Sequence, residues 1–494
     1  MGKLFLGIDV GSYESKGVVV NQEGKVIAFA SIGHVLSVPE PGHVEHDADG
    51  VWWHDVKFIS QKLLSFPEVD SKEIKAVGIS SIAPCVLPID AHGRPLRPGI
   101  LYGIDNRATI QIDCLEKKYG EKKIYDVCGQ KLSAQSAGPK ILWLHDNEPD
   151  VWKKTWKILT GSGYIVYKLT GNCVLDRYTA SAYSPLFDIH TLEWSTEFEE
   201  EIPGRLLPEL RWTNSIAGYV QIAASEETGI PAGIPVITGT ADAASESISA
   251  GLADIGDTML MYGSSTFLIQ KTEKLVLSSS YTGTVFLQEG HYVQTGGVST
   301  AGSLTRWFRD QLGQEELRVE KEKGINAYTS LAELAAKSPM GANGLMILPF
   351  FSGHVTNPKA TGVIYGLNLT HTRPDIYRAI LESIGYLIRE NIEGMIELGG
   401  IPAKVFAVGG GLKNRLWLQI VSDITAIPQF IPDCTYGASY GDAFMAALGT
   451  GEYQSITDIG EWVKVKEIIN PDRERHEFYN EKFAEFQKLY KKLF

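Results

Sequence analysis

A pattern of two short strands around a tight turn opens the chain and recurs in its second half. Lys3–Asp9 (KLFLGID) and Ser15–Val20 are short runs on either side of a Gly-Ser turn, which predicts a β-hairpin. Asp257–Tyr262 and Thr266–Lys271 repeat this arrangement about 250 residues later, again around a Gly-Ser turn. A repeat of that length is too long for a solenoid and favours two lobes of similar topology. Because such hairpins are common, the pattern by itself leaves a duplication open.

Strand and helix patterns alternate between and after these hairpins. Ile74–Ser80 reads as a strand and Ala108–Tyr119 as a helix, and this alternation predicts an α/β fold. In Asp375–Gly399, apolar residues recur mostly at three- and four-residue steps, which predicts a long core helix without a chemical role. A length of 494 residues suggests two to four domains, or two large ones.

Composition excludes several classes of partner. The chain has a net charge of −13, which would repel phosphate backbones and anionic lipid, so we expect neither a nucleic-acid nor a membrane partner. It has five cysteines and no CxxC pair, which argues against a disulfide framework and a zinc site. We therefore expect a protein of a reducing, cytoplasmic compartment.

The first chemical motif is Gly7–Ser12 (GIDVGS) at the end of the first predicted strand. A carboxylate at a strand end, here Asp9, suits Mg²⁺, which takes one or two carboxylates together with substrate phosphates. Gly11 would let backbone N–H groups approach a phosphate, and Ser12 would add a hydroxyl donor. A simple turn between two strands explains the same residues.

The second motif is Val236–Ser247 (VITGTADAASES), in which a short strand, Ile234–Ile237, leads through a loop into a small-residue helix. Asp242 then lies at or near the helix N-cap. It is either a capping residue or a general base beside backbone amides that can meet an anion.

The third motif is the glycine run Gly409–Gly411, between a predicted strand, Lys404–Val408, and a predicted helix, Trp417–Ala426. It lacks the GxGxxG pattern, which disfavours a nicotinamide-dependent dehydrogenase, and it lacks the Walker A lysine. Glycines without side chains permit close approach of a base or a ribose, although a tight strand-to-helix turn needs them equally.

The order of these motifs along the chain resembles the FGGY carbohydrate kinases, within the wider actin/hexokinase-like ATPase fold. Gly362–Glu382 (GVIYGLNLTHTRPDIYRAILE) is similar to the family's second-lobe signature, and Lys140–Asn147 (KILWLHDN) to the end of its first-lobe signature. The resemblance covers essentially the whole chain.

The resemblance implies an α/β protein of two lobes, built from duplicated ribonuclease-H-like domains around a central cleft. Residues 1–245 would form the N-terminal lobe, with the sugar site and the catalytic base, and residues 246–494 the C-terminal, nucleotide-binding lobe. Family members are often dimers, so a homodimer stays open.

The resemblance also assigns roles to individual residues, with ATP and Mg²⁺ as the cofactors. Asp242 would be the catalytic base, and Asp9 would orient Mg²⁺ together with Asp242. The residues expected near ATP are Gly11, Ser12 and Lys16 at the phosphates, Gly263 and Ser264 at the β/γ-phosphates, and Gly302, Gly410, Gly411 and Asn414 along the nucleotide.

The expected sugar site departs from two known branches of the family. Typical xylulokinases carry Gln-Met-His, and glycerol kinases Arg-Glu, where this chain has Ile82 followed by Ala83 and Pro84. Asp105 keeps the family's Asp-x-Arg and is a candidate for sugar hydroxyls, unless it is a surface residue paired with Arg107. The substrate-binding residues expected are thus Ala83, Pro84, Asp105 and Asp242.

The function expected is therefore ATP-dependent phosphorylation of a ketopentose such as xylulose. A kinase of another polyol or sugar (ribulose, glycerol or gluconate) and a non-catalytic sugar sensor on the same fold are the alternatives. The presence of both Asp9 and Asp242 speaks against a sensor, which would not need both.

Overall fold

The computed structural model describes residues 2–351, 353, 357, 359–433 and 436–494. The strands are β1 (Leu4–Val10), β2 (Glu14–Asn21), β3 (Val26–Gly33), β4 (Glu45–His46), β5 (Ile74–Ser81), β6 (Leu87–Ile89), β7 (Gly99–Ile100), β8 (Lys157–Leu159), β9 (Val174–Asp176), β10 (Phe187–Asp188), β11 (Glu193–Trp194), β12 (Glu209–Arg211), β13 (Ile216–Tyr219), β14 (Pro235–Ile237), β15 (Thr240–Ala241), β16 (Thr258–Tyr262), β17 (Thr266–Thr272), β18 (Thr282–Val285), β19 (Tyr292–Val298), β20 (Met346–Leu348), β21 (Val363–Tyr365), β22 (Val405–Val408), β23 (Gln429–Pro432) and β24 (Val465–Ile469).

The α-helices are α1 (His54–Leu64), α2 (Thr109–Tyr119), α3 (Glu121–Cys128), α4 (Ala137–Asn147), α5 (Pro149–Lys154), α6 (Gly161–Thr170), α7 (Arg177–Ser181), α8 (Ile222–Thr228), α9 (Asp242–Ala250), α10 (Gly302–Leu312), α11 (Gln314–Lys323), α12 (Ala327–Ala335), α13 (Arg373–Glu397), α14 (Arg415–Thr425), α15 (Ala438–Gly449) and α16 (Arg473–Leu493).

The chain forms two compact units, neither of which is continuous in sequence. The first contains the residues up to Ala253, Glu273–Val293 and the described part of 434–464; the second contains Asp254–Thr272, Gln294–Asp433 and Val465–Phe494. A segment of the second half of the chain, including α15, thus belongs to the first unit. The expected assignment of residues 1–245 and 246–494 to two functional lobes stays a prediction.

Each unit is built on a sheet of the same design. The order is β13–β14–β5–β1–β2–β3 in the first unit and β24–β23–β22–β16–β17–β19 in the second. In both, a hairpin (β1–β2 or β16–β17) is extended by a parallel strand (β5 or β22), a further parallel strand, and an antiparallel one. The matching order and directions confirm the predicted α/β architecture with a repeated topology.

The predicted core helix is α13, which begins two residues earlier than the periodicity indicated. Thr372 and Asp375 form a reciprocal capping box, and the proline at 374 occupies the first turn, where its missing N–H costs nothing. Most of the residues from Tyr377 to Ile388 are buried, as expected for a helix inside a unit.

Helix α15 packs against β1 and β5 at backbone contact distance. A Cβ on Gly7 of β1 would lie 1.9 Å from the carbonyl oxygen of Ser439, and a Cβ on Gly78 of β5 would lie 2.0 Å from that of Asp442. Only glycine leaves room for the helix at these two positions. Their register, with Gly7 opposite Gly78 on neighbouring strands, produces one flat surface for α15.

None of the helices in the described ranges is long and apolar enough to cross a membrane.

We predict that Gly78→Ala lowers the free energy of unfolding by about 1–3 kcal/mol or more, because the added methyl group must displace the α15 backbone. Urea denaturation followed by tryptophan fluorescence measures the change. Gly460→Ala is the matched control, because a Cβ there meets nothing within 4 Å. Equal stability of the two variants would contradict the close packing of α15.

Candidate active site

Asp9 lies near the carboxyl end of β1, inside the sheet of the first unit. It is aligned with Lys16 of β2 on one side and with Ser80 of β5 on the other. The Ser80 Oγ lies 2.9 Å from Asp9 Oδ1. Burial raises the pKa of Asp9, while the hydrogen bond from Ser80 and the charge of Lys16 oppose that rise. The predicted strand-end carboxylate is therefore partly shielded from water and set among polar groups.

Asp242 is the first residue of α9 and directly follows β15. Thr240 of β15 is aligned with Ser80, as Asp9 is on the opposite side of β5, so both carboxylates reach the same end of the sheet. The Asp242 Oδ1 accepts a hydrogen bond from the Ala243 N–H at 2.8 Å. Burial, and then the negative charge of Asp9, raise the pKa of Asp242. The fold thus brings together two carboxylates from separate sequence motifs.

A third carboxyl group, that of Asp442 in α15, is fully buried and was not predicted from the sequence. Its Oδ2 lies 2.7 Å from Ser80 Oγ, and its Oδ1 accepts from Ser245 Oγ at 2.7 Å. The Ser80 hydroxyl carries one hydrogen, so its two carboxyl contacts require that either Asp442 or Asp9 carries another. Burial and the charge of Asp9 raise the pKa of Asp442 well above its usual range, which favours Asp442 as the group that carries this hydrogen.

The one sequence signal for Asp442 is a lone acidic residue in an otherwise small and apolar run, Ala438–Ala447 (ASYGDAFMAA). Such a residue inside a buried helix needs a partner, which only the folded chain identifies.

Glu246 lies one helical turn after Asp242 and was likewise not predicted. Burial, and then the charge of Asp9, raise the pKa of Glu246 to about 7, while Lys16 opposes the rise. The Lys16 Nζ lies 3.2 Å from Glu14 Oε2 and its side chain is partly exposed. Lys16 is thus a cation that opposes the rise in pKa of both Asp9 and Glu246.

Gly11 and Ser12 form the turn between β1 and β2. The Gly11 N–H donates to the Glu14 carbonyl at 3.2 Å, and a Cβ on Gly11 would lie 2.6 Å from that oxygen, so the turn requires glycine. The Ser12 Oγ lies 3.5 Å from Tyr102 Oη. The turn therefore lies beside the segment that contains the predicted substrate residues.

The predicted substrate residues follow β5 and β7. Ala83 is half-buried and Pro84 is buried. Asp105 is fully buried and paired with Arg107, whose Nε and Nη2 donate to it at 3.0 and 2.8 Å, and it also accepts from the Val44 N–H at 2.6 Å. Asp105 is thus a buried rather than a surface partner of Arg107, and its contact with a sugar stays a prediction.

Lys140 of α4, part of the first-lobe signature, holds this segment in place. Its buried ammonium group donates to the carbonyl groups of Leu101, Tyr102 and Ala134 at 2.7–2.8 Å. Burial lowers the pKa of Lys140 to about 8. All three N–H donors have acceptors, so Lys140 is a structural clamp rather than a nucleophile.

The second unit contains a cavity of about 510 Å³ that is lined by six of the nine residues predicted to bind ATP; the other three, Gly11, Ser12 and Lys16, belong to the first unit. Gly263 and Ser264 form the β16–β17 turn, and the N–H groups at the start of α10, including that of Gly302, donate to their carbonyl groups. Gly410 and Gly411 follow β22, and Asn414 caps α14 by accepting from the Trp417 N–H at 3.1 Å. These six predicted residues all line the same cavity.

Several other residues that line the cavity were not predicted. Arg309 lies over the ring of Tyr328 at 5.1 Å, and both line the cavity, as do Arg306 and Lys413. Arg306 and Arg309 are three residues apart in α10, a spacing that puts two cations on one helix face and is readable from sequence. Their position beside the glycine turns is decided by the fold.

Within the described ranges, no group of three or more His, Cys, Asp or Glu side chains is arranged to hold a metal ion by itself.

Comparison with known proteins gives matches along both halves of the chain. The N-terminal domain of the FGGY family of carbohydrate kinases matches residues 4–249, and the C-terminal domain of that family matches residues 258–450. The two matches together span most of the chain.

Individual relatives share about a quarter of their residues with this chain over nearly its whole length. A xylulose kinase of Staphylococcus epidermidis is 28% identical, covering 99% of this chain and 97% of that protein. Glycerol kinase 2 of Saccharolobus solfataricus is 28% identical, covering 97% and 96%. The crystal structure of xylulose kinase from Rhodospirillum rubrum has a TM-score of 0.91 at 27% identity and covers 99% of both chains.

We predict that Lys140→Met lowers the free energy of unfolding by about 2–4 kcal/mol, because three buried carbonyl groups lose a charged donor. Urea denaturation at pH 7 measures the loss. Lys153→Met, at an exposed lysine of α5, is the control. If both variants unfold at the same urea concentration, the clamp contributes no stability.

We predict that Asp242→Asn stabilises the protein free of metal and nucleotide, and increasingly so as the pH rises. Because the pKa of Asp242 is raised in the folded state, folding is favoured by the protonated form of this group. The stability that protonation contributes is complete below the unfolded-state pKa near 3.8 and is lost as the pH rises through the folded-state pKa. The gain at pH 8 relative to pH 4 should be at least about 1.4 kcal/mol, which corresponds to one pKa unit.

Urea denaturation of wild type and variant at pH 4, 6 and 8 tests this dependence. Asp150→Asn, at an exposed carboxylate, should show no such trend. A gain for Asp242→Asn that does not vary with pH would contradict the raised pKa.

Proposed function

The chain belongs to the FGGY family of carbohydrate kinases and has the two-domain actin/hexokinase-like ATPase fold, and from this we propose that it transfers the γ-phosphate of ATP to a hydroxyl group of a ketopentose such as xylulose. The observation that carries the proposal is the pair of half-buried carboxylates, Asp9 and Asp242, at the same end of the parallel strands β1, β5 and β15. Phosphoryl transfer needs positioning and charge neutralisation rather than covalent help from the protein.

Asp242 would act as the general base that accepts the proton of the attacking sugar hydroxyl. Its environment supports the role, because burial and the charge of Asp9 raise the pKa of Asp242 towards the range in which a base is effective near neutral pH. Its position as the first residue of α9 holds the carboxylate against the backbone N–H of Ala243.

Asp9, together with Asp242, would hold Mg²⁺. The residues fit this ion, because Mg²⁺ takes one or two carboxylates and completes its coordination with phosphate oxygens and water. Asp9 raises the pKa of Asp242 because the two negative charges repel each other, and a divalent cation between them would relieve this repulsion. When bound, Mg²⁺ would neutralise charge on the transferred phosphate. Ser80 would orient the Asp9 carboxylate through its hydrogen bond.

The cavity of the second unit would bind ATP. Gly263 and Ser264 would contact the β- and γ-phosphates, and Gly302, Gly410 and Gly411 would allow the nucleotide to approach the backbone. The cations Arg306, Arg309 and Lys413 around the cavity would favour an anionic ligand. In the first unit, Gly11, Ser12 and Lys16 would contribute to phosphate binding beside Asp9.

A ketopentose is the acceptor that the relatives favour, since the xylulose kinases of S. epidermidis and R. rubrum match nearly the whole chain. Glycerol kinase 2 of S. solfataricus matches at the same level of identity and supports a smaller polyol as the second candidate. Ala83 and Pro84 would distinguish between them, because they occupy the segment where the two branches differ, and Asp105 would contact the hydroxyl groups of either acceptor.

The experiment that tests this proposal measures ADP release with a panel of acceptors: xylulose, ribulose, glycerol and gluconate. We expect xylulose to give the highest kcat/KM. We expect Asp242→Asn to lower kcat by at least about 100-fold, because the loss of a general base removes 10²–10⁴-fold of rate.

Asp150→Asn is the activity control, and ATP binding by Asp242→Asn shows that the variant is folded. If Asp242→Asn phosphorylated the best acceptor at a normal rate, the base would be another group. If the wild-type protein bound ATP but released no ADP with any of these acceptors, the proposal that it phosphorylates them would be wrong.

A further inference from the structure

A histidine outside the predicted motifs, His34, contacts the Gly11–Ser12 turn with both its backbone and its ring. Its backbone N–H donates to the Tyr13 carbonyl at 2.9 Å. Its ring Nε2 lies 3.0 Å from the Gly11 carbonyl oxygen, and its Nδ1 lies 2.8 Å from Asp55 Oδ2. The side chain is only 7% exposed, so these contacts take the place of water.

The hydrogen count of these contacts determines the charge of the ring. A carbonyl oxygen has no hydrogen to donate, so Nε2 must donate to Gly11. Asp55 already accepts from Ser15 Oγ at 2.7 Å on the same oxygen, and the pKa of Asp55 is lowered, so this group is a carboxylate and Nδ1 must also donate. A ring that donates from both nitrogens is an imidazolium cation.

The groups that face His34 agree with a cation. Burial alone would lower the pKa of His34, but the hydrogen bond with Asp55 and its charge outweigh burial and raise it. Glu14 of β2 adds a negative charge, and His54 of α1 contacts the other oxygen of Asp55 at 3.1 Å. His46 of β4 lies edge-on at 5.0 Å, and burial lowers the pKa of His46 to about 4, so His46 is neutral.

The contact with Gly11 also determines where the next N–H group points. The Gly11 carbonyl and the Ser12 N–H belong to one planar peptide unit and point in opposite directions. Gly11, having no side chain, resists rotation of this unit less than any other residue. A cation that holds the carbonyl oxygen therefore fixes the direction of the Ser12 N–H.

We propose that the imidazolium ring of His34 is a positioning residue that aims the Ser12 N–H at the phosphates of the nucleotide. This inference rests on the proposed function, in which the Gly11–Ser12 turn binds phosphate. In this role, the charged pair His34 and Asp55 holds the turn in one orientation through hydrogen bonds and does not contact the substrate.

The test compares wild type with His34→Gln in direct binding of a non-hydrolysable ATP analogue with Mg²⁺, and of adenosine. The glutamine side chain reaches a similar distance, but it is uncharged and cannot make the two charged hydrogen bonds that His34 makes with Gly11 and Asp55. At pH 6 we expect a Kd for the analogue at least about tenfold higher in His34→Gln, and a Kd for adenosine within about twofold of wild type. The ratio of the two analogue Kd values should fall towards one as the pH rises through the raised pKa of wild-type His34, because the ring then loses its charge.

His54→Gln is the matched control, because His54 contacts Asp55 but not Gly11 and is 55% exposed. It should leave both Kd values unchanged. Urea denaturation of all three proteins shows whether they are folded. A separate readout is the NMR titration of ¹³C-labelled histidine rings, in which the resonance absent from His34→Gln should titrate above pH 6.5.

An unchanged analogue Kd in His34→Gln, or a ratio that does not vary with pH, would overturn the proposal. A His34 resonance that titrates below pH 6.5 would overturn the charge assignment and with it the proposal. These measurements need no turnover, so a failure to phosphorylate any sugar would count against the proposed function and not against the role of His34.

Discussion

The alignment of three strand ends, those of β1, β5 and β15, decides where the acidic groups of the first unit lie. Asp9, Ser80 and Thr240 occupy neighbouring positions across these strands, and α9 begins at Asp242 directly after the third. A shift of one residue in either pairing would turn the aligned side chain to the opposite face of the sheet. The packing of α15 on the glycines of β1 and β5 then adds Asp442 to the same cluster.

The acidic groups of this cluster repel one another in the folded chain. Burial raises the pKa values of Asp9, Asp242, Glu246 and Asp442, and the charge of Asp9 further raises the other three. A protein selected only for stability would not collect four acidic groups in this way. Perturbed groups of this kind cluster at functional sites, where binding of a cation or a proton transfer uses the unfavourable energy. The proposed roles of Asp9 and Asp242 are consistent with that use.

Much of the architecture was predictable because it depends on short-range patterns. The two hairpins and α13 follow from the alternation and spacing of apolar residues, and they lie within one or two residues of their expected bounds. Six of the residues expected around the nucleotide also line one cavity, because glycine turns mark places where strands end and ligands approach the backbone. By contrast, Arg309 and Tyr328 became candidates only once α10 and α12 were packed beside those turns.

The sequence by itself determined the repeated α/β architecture and the membership in a kinase family, and it made Asp9 and Asp242 candidate site residues, because all of these depend on local patterns and their order. Only the tertiary structure decided the partners: Asp442 beside Ser80, the three carbonyl groups around Lys140, and Asp55 and the Gly11 carbonyl group beside the His34 ring. The physical reason is that burial and hydrogen bonding set a protonation state, and both depend on residues far away in the chain.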